Sequence, residues 1–104
     1  MKNVCTFLLK FRNDVFKLLP MREELDNGNN NYLSDYVESI LISAEGALTT
    51  FAELEAQKNY IYVINNLNYL KNHSSLEFSS WRKVILNCTR CIDDLRISYS
   101  GGKL

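Results

Sequence analysis

The sequence predicts an all-α fold, an antiparallel four-helix bundle. Three observations carry that prediction. Apolar residues recur at spacings of three and four in four separate stretches, the repeat of one buried helix face. Breakers are scarce: there is one Pro, at position 20, and four Gly, with neither type between Ala47 and Ser100, whereas a β chain needs turn signals about every 8–12 residues. The corners between the stretches are short, which sets neighbouring helices antiparallel at shallow packing angles.

The first helix is expected over about 3–19, where Val4, Leu8, Phe11, Val15 and Leu18 share a face and Lys2, Thr6, Lys10, Asn13 and Lys17 lie off it. Pro20 disfavours helical geometry at Leu19 and removes a backbone donor, so it ends this helix or opens a further turn through Met21–Leu25. The Asn-rich segment 26–31 around Gly28 is a loop. The second helix follows over about 32–48, with Leu33, Val37, Ile40, Ala44 and Ala47 on its stripe and Tyr36, Leu41 and Leu48 widening it. Ser34 or Asn31 is the candidate cap for its start.

The hardest stretch is ALTTFAELEAQKNYIYVINNLNYL, residues 47–70. Thr50-Phe51-Ala52-Glu53 fits a capping box, and the apolar phase changes there. Continuing the earlier phase would need apolar residues at 58 and 65, where Lys58 and Asn65 stand. The expectation is a tight corner near 47–50, with Gly46 just upstream, and a third helix over about 50–72 on the stripe Ala56, Tyr60, Val63, Leu67 and Leu70. One long helix is the alternative. A second capping box, Ser74-x-x-Glu77, opens the fourth helix, about 76–99, on Trp81, Ile85, Cys88, Ile92, Leu95 and Tyr99. Gly101-Gly102 stops it.

A chain of 104 residues is one domain, 1–104. Twelve basic and twelve acidic residues balance. That disfavours a dedicated nucleic-acid binder and favours assembly or a protein partner, because a neutral surface does little to keep copies apart. The start, MKNVCTFLLKFRNDVF, meets Lys10, Arg12 and Asp14 before any leader-like apolar run forms. No apolar run reaches the length of about 20 residues that crosses a bilayer. With three Cys, an odd number, the expectation is reduced thiols and a cytoplasmic protein with no membrane contact.

Candidate chemistry is sparse. Cys88-Thr89-Arg90-Cys91 is a C-x-x-C, but it stands mid-helix with Cys88 on the apolar stripe. A redox pair belongs at a helix start, and a zinc site needs further ligands that Cys5 and His73 do not supply at any zinc spacing. Both thiols read as structural, with thiol or zinc activity the competing reading. His73, the only His, stands at a corner without a spaced nucleophile. Glu53 and Glu55 point to different helix faces, which does not make a metal-carboxylate site. No catalytic residue, metal or cofactor is expected. Tyr is more informative: Tyr62 and Tyr69 are seven apart and off the apolar stripe, which suits exposed anchors for a partner. Arg82, Lys83, Arg90 and Arg96 occupy the polar side of the last helix as a candidate nucleic-acid-contacting row.

FAELEAQKNYIYVINNLNYLKN, residues 51–72, with a corner and another amphipathic helix after it, resembles the small four-helix bundle family that includes the proteins encoded in ribosomal-RNA intervening sequences and the accessory variability determinant of diversity-generating retroelements. The matching features are Glu53-Leu54-Glu55 at the opening of the third helix, the aliphatic run Ile61, Val63, Ile64 and Leu67, and the pattern of helices and corners over 4–99. The resemblance implies a non-enzymatic, pentameric ring. In the retroelement branch it implies service to a reverse transcriptase and its template RNA through a basic surface. This chain departs from that branch in having no basic excess, so RNA or DNA contact could be carried only to Arg82, Lys83, Arg90 and Arg96. The function expected from sequence is a self-assembling interaction protein that binds a protein partner, including as an accessory subunit of a reverse transcriptase or other nucleic-acid-processing complex. The competing expectation is a monomeric inhibitor or immunity-type protein that binds a foreign protein.

Overall fold

The computed structural model describes residues 3–26, 33–73 and 75–101. Five α-helices make four rods: α1 (Val4–Phe16) and α2 (Leu18–Asp26) form one kinked rod, followed by α3 (Leu33–Thr50), α4 (Lys58–Lys71) and α5 (Phe78–Tyr99). No strand occurs among the described residues. Each rod packs on its neighbours in sequence, and α1 closes the ring against α5. Pairings across the seams run in opposite directions along each pair. Cys5 reaches the carbonyl of Arg96, and Arg12 reaches Asp93. Lys71 meets Glu38, and Tyr60 meets Ala44. The α1–α5 and α3–α4 pairs are therefore antiparallel.

The core is the one that the spacing predicts. Leu8, Phe11, Val15 and Leu18 from the first rod meet Leu33, Val37, Ile40, Ala44 and Ala47 of α3, Tyr60, Val63, Leu67 and Leu70 of α4, and Trp81, Ile85, Cys88, Ile92 and Leu95 of α5. Each fully buried large aliphatic contributes on the order of 1.5–3 kcal/mol, so the packed seams, more than helix propensity, hold the rods in place. Three stripe positions differ from expectation. Val4 and Tyr99 are half-buried, and Ala56 is exposed, because each lies at a rod end with fewer neighbours.

Several boundaries also differ. Of the two outcomes expected at Pro20, the further helical stretch through Met21–Leu25 is the one found, and the first helix ends before Pro20, at Phe16. The rod kinks at Lys17 and continues, with the Lys17 N–H donating to the Asn13 carbonyl and the Met21 N–H to the Lys17 carbonyl, at 3.2 and 3.3 Å. Pro20 is the third residue of α2, where a backbone N–H has no intrahelical partner to lose. The start of α1 is capped by Asn3, whose Oδ1 accepts from the N–H groups of Cys5 and Thr6 at 2.9 and 3.3 Å.

The corner after α3 lies later than 47–50. Helix α3 runs through Gly46 to Thr50, and a 3-10 helix, Ala52–Ala56, fills the corner. Thr50 and Glu53 form no capping box. Gln57, with no side-chain cap bond, starts α4, so the third helix is 58–71 instead of 50–72. Glu53-Leu54-Glu55 lies in the 3-10 helix and does not open an α-helix. Packing decides this: the 3-10 turn buries Leu54 completely and brings the Phe51 ring to 5.7 Å from Phe7. An immediate helix start at Thr50 would forgo that apolar closure of the bundle end. The single long helix is excluded by the same corner. Helix α5 starts at Phe78 with Glu77 as its cap residue and no side-chain cap bond. Ser34 is the second residue of α3 and not its cap. Asp26, expected in the Asn-rich loop, is the last residue of α2; residues 27–31 of that expected loop, the candidate cap Asn31 among them, lie outside the described residues, as do Ser74 of the second expected capping box and Gly102.

Candidate interaction faces

Helix α4 has the most unusual outer surface. From Asn59 to Leu70 it contains no charged residue. Tyr60, Val63, Ile64, Leu67 and Leu70 turn inward. Tyr62 and Tyr69 are 41% and 44% exposed, as their spacing predicts. Around them the amides of Asn66 and Asn68 donate to the carbonyls four residues back, at 2.8 and 3.2 Å, which holds both side chains against their own helix. His73 lies flat on Tyr69, with ring centroids 4.0 Å apart and 17° between planes. Its Nδ1 sits 2.7 Å from the Tyr69 carbonyl. A carbonyl only accepts, so Nδ1 carries the proton. His73 therefore stiffens an exposed aromatic, a role that its position in the sequence did not show.

The basic row divides. Arg82, Lys83 and Arg90 are exposed. Arg96 turns into the α1–α5 seam, where its Nη1 lies 2.8 Å from Asp93 Oδ1. Arg12 reaches Asp93 Oδ2 at 3.4 Å and also stands over the Phe16 ring at 5.5 Å. Asp93 thus draws two cations, and Arg96 is spoken for within the fold.

The thiols do not converge. Cys88 is completely buried, and burial, with a smaller effect from Cys91, pushes its pKa up to about 12. That is the opposite of an activated thiol. Cys91 is half-buried and also raised, by burial first and then by Asp94. Cys5 sits level with Arg96. His73 sits level with Trp81, whose Nε1 donates to its carbonyl at 3.1 Å. Fifteen residues of α5 separate those levels, roughly 22 Å of helix. Among the described residues no group of three His, Cys, Asp or Glu could hold a metal ion. Glu53 and Glu55 are both exposed on the 3-10 corner.

A feature not anticipated from sequence is a groove of about 340 Å³ between α1 and α3. Phe7, Phe11, Ile40 and Phe51 form its apolar floor. Lys10 and Asp14, paired at 2.9 Å, stand on one rim, and Ser43, Gly46 and Thr50 on the other. The sequence held two signals: Phe7 lies off the α1 stripe, and Gly46 interrupts a strong helical pattern. No helix is long and apolar enough, among the described residues, to cross a membrane. Comparison with protein-family models, with curated proteins and with solved structures finds no match to this chain.

Proposed function

We propose that this chain is a non-catalytic interaction protein that docks a protein partner on the outer face of α4. The observation that supports this reading is the uncharged surface from Asn59 to Leu70 with Tyr62 and Tyr69 exposed on it. Tyr supplies a large amphipathic contact at low entropic cost. A face without Lys, Glu or Asp has few charges to strip of water when a partner covers it. The stacking of His73 on Tyr69 and the tied-back amides of Asn66 and Asn68 reduce the ordering cost further. A place as accessory subunit in a nucleic-acid-processing complex is compatible with this face. The neutral charge balance and the engagement of Arg96 by Asp93 favour protein over nucleic acid as the directly bound partner.

The test uses the full chain, tagged and recovered from cells of its source after nuclease treatment. Wild type is expected to bring down a partner in stoichiometric amount. Tyr62→Asp with Tyr69→Asp is expected to lose it while far-UV circular dichroism and melting stay unchanged, and Arg82→Glu with Lys83→Glu and Arg90→Glu is expected to keep it. Retention by the Tyr variant, or loss only in the charge variant, refutes the reading.

A further inference from the structure

The neutral total of the chain hides an uneven distribution of charge. Helix α3 carries Asp35, Glu38 and Glu45 and no Lys or Arg, whereas α5 carries Arg82, Lys83, Arg90 and Arg96 against Asp93 and Asp94. The basic side also exposes apolar surface. Leu9 and Phe16 on α1 and Ile97 on α5 are each 42% exposed, and they flank one seam. Cys5, Leu9, Arg12 and Phe16 recur at spacings of four and three and so share one side of α1. From that side Cys5 meets the Arg96 carbonyl and Arg12 meets Asp93. Leu86, Arg90, Asp93 and Ile97 recur in the same way on α5. Leu9 therefore stands towards the Ile97 end of the α1–α5 seam, and Phe16 towards the half-buried Leu86.

The charges along this seam fall into two groups. Arg12, Asp93 and Arg96 pair among themselves. Arg82, Lys83 and Arg90 lie three or four residues from Leu86 and are exposed. Arg90 reaches the side-chain oxygen of Asn87 at 3.5 Å, and none of the three pairs with a carboxylate among the described residues. Against them stands the exposed Asp94. A surplus of positive charge thus lies beside an apolar strip.

We propose that the α1–α5 seam docks an acidic amphipathic helix of another protein, laid along the seam as a further rod. The apolar stripe of that helix covers Leu9, Phe16 and Ile97, and its Asp and Glu side chains meet Arg82, Lys83 and Arg90. Other occupants leave part of this surface unmatched. A nucleic-acid backbone meets the three cations and leaves the apolar strip uncovered. An anionic bilayer presses Asp93 and Asp94 against its own negative surface. The acidic helix of a second copy, α3, exposes one large apolar side chain, Ile42, whereas Leu9 and Phe16 stand two turns apart, about 10 Å. A furrow between two helices takes a third by the same ridge packing that builds the bundle. This surface is separate from the α4 face and does not depend on the function proposed for it.

The test is an amide NMR titration of the full, isotope-labelled chain with a synthetic helical peptide of about 18 residues, or five turns, carrying Leu at helical spacing on one side and Glu with Ala on the other. The comparison probes are the same peptide with Lys in place of Glu, and vesicles of phosphatidylcholine with phosphatidylserine. The acidic peptide is expected to bind saturably at sub-millimolar concentration, with shifts centred on Leu9, Phe16, Leu86 and Ile97, and to weaken as salt rises from about 0.05 to 0.5 M. Arg82→Glu with Lys83→Glu and Arg90→Glu is expected to weaken it by about tenfold or more, and so is Phe16→Ser with Ile97→Ser. These side chains are exposed, so an unchanged helical signal and melting temperature check that the fold survives. Tyr62→Asp with Tyr69→Asp is expected to leave this binding intact. The proposal is overturned by an absence of saturable binding, by equal binding of the Lys peptide, by binding to the vesicles in place of the acidic peptide, or by shifts centred on α4. It is also overturned if the same amides shift with the concentration of the chain alone, which assigns the seam to a second copy.

Discussion

Tyr60 offers the sharpest check on how the rods are locked together. It is completely buried in α4. Its ring lies 5.6 Å from that of Phe11 and 6.4 Å from that of Phe7, and its hydroxyl donates to the Ala44 carbonyl in the middle of α3. That carbonyl also lies within the backbone ladder of α3, so Tyr60→Phe orphans no acceptor and creates almost no cavity. The expected cost is the net worth of one buried hydrogen bond, about 1 kcal/mol. Tyr60→Ala also removes the ring from the seam of three helices, at about 3–5 kcal/mol, a large share of the ~5–15 kcal/mol that holds a small domain folded. In urea, with a slope of about 1–1.5 kcal/mol per molar for a chain of this size, the two midpoints fall by roughly 0.7–1 M and by ~2–5 M. Equilibrium unfolding followed by far-UV circular dichroism reads both. The pH dependence adds a second arm. Burial, and then Glu45, raises the Tyr60 pKa above its ordinary 10.0, so the folded state holds a proton that the unfolded chain releases. The stability tied to it is complete below pH 10 and is lost as pH rises beyond that, a loss Tyr60→Phe does not suffer. The gap between wild type and Tyr60→Phe should therefore narrow above pH 10. A Tyr60→Phe variant as unstable as Tyr60→Ala, or a gap that widens with pH, would refute the arrangement.

The caps give a contrasting pair. Asn3→Ala should cost about 1 kcal/mol in urea midpoint analysis, because it frees two N–H groups at the start of α1. Thr50→Ala should stay within about 0.5 kcal/mol, since Thr50 caps nothing. In thiol labelling of the native protein, Cys88 should react only as fast as the chain unfolds, whereas Cys5 and Cys91, both half-buried, react sooner. The raised pKa of Cys88 makes its contribution to stability complete below pH 9 and lost progressively towards pH 12. Cys88→Ala should flatten that decline in alkaline urea titrations, and a slope unchanged by the substitution would contradict its burial.

The faces of the helices were legible from spacing alone. Residues three and four apart share a side of any α-helix, so Leu8, Phe11 and Val15, or Trp81, Ile85 and Cys88, had to be buried together whatever they packed against. The exposure of Tyr62 and Tyr69 followed from the same geometry. The caps and corners were less legible, because they turn on small energies. A Thr-x-x-Glu capping box is worth about 1 kcal/mol, and burying Leu54 and closing Phe51 over Phe7 outweighs it, which moves the corner into the 3-10 helix. Pro20 is similar: its missing donor matters only if the residue lies past the first turn, and the kink at Lys17 restarts the count.

By itself, then, the sequence determined that the chain forms amphipathic rods and which side of each is apolar. Those properties are local, set by helix periodicity. Which seam closes tightly, which stays open as the α1–α3 groove, and how Asp93 withdraws Arg96 from the basic row were decided only in the tertiary structure. They depend on residues far apart in the chain meeting at one level of the bundle, and rod phase and height follow from the sum of all the packed contacts.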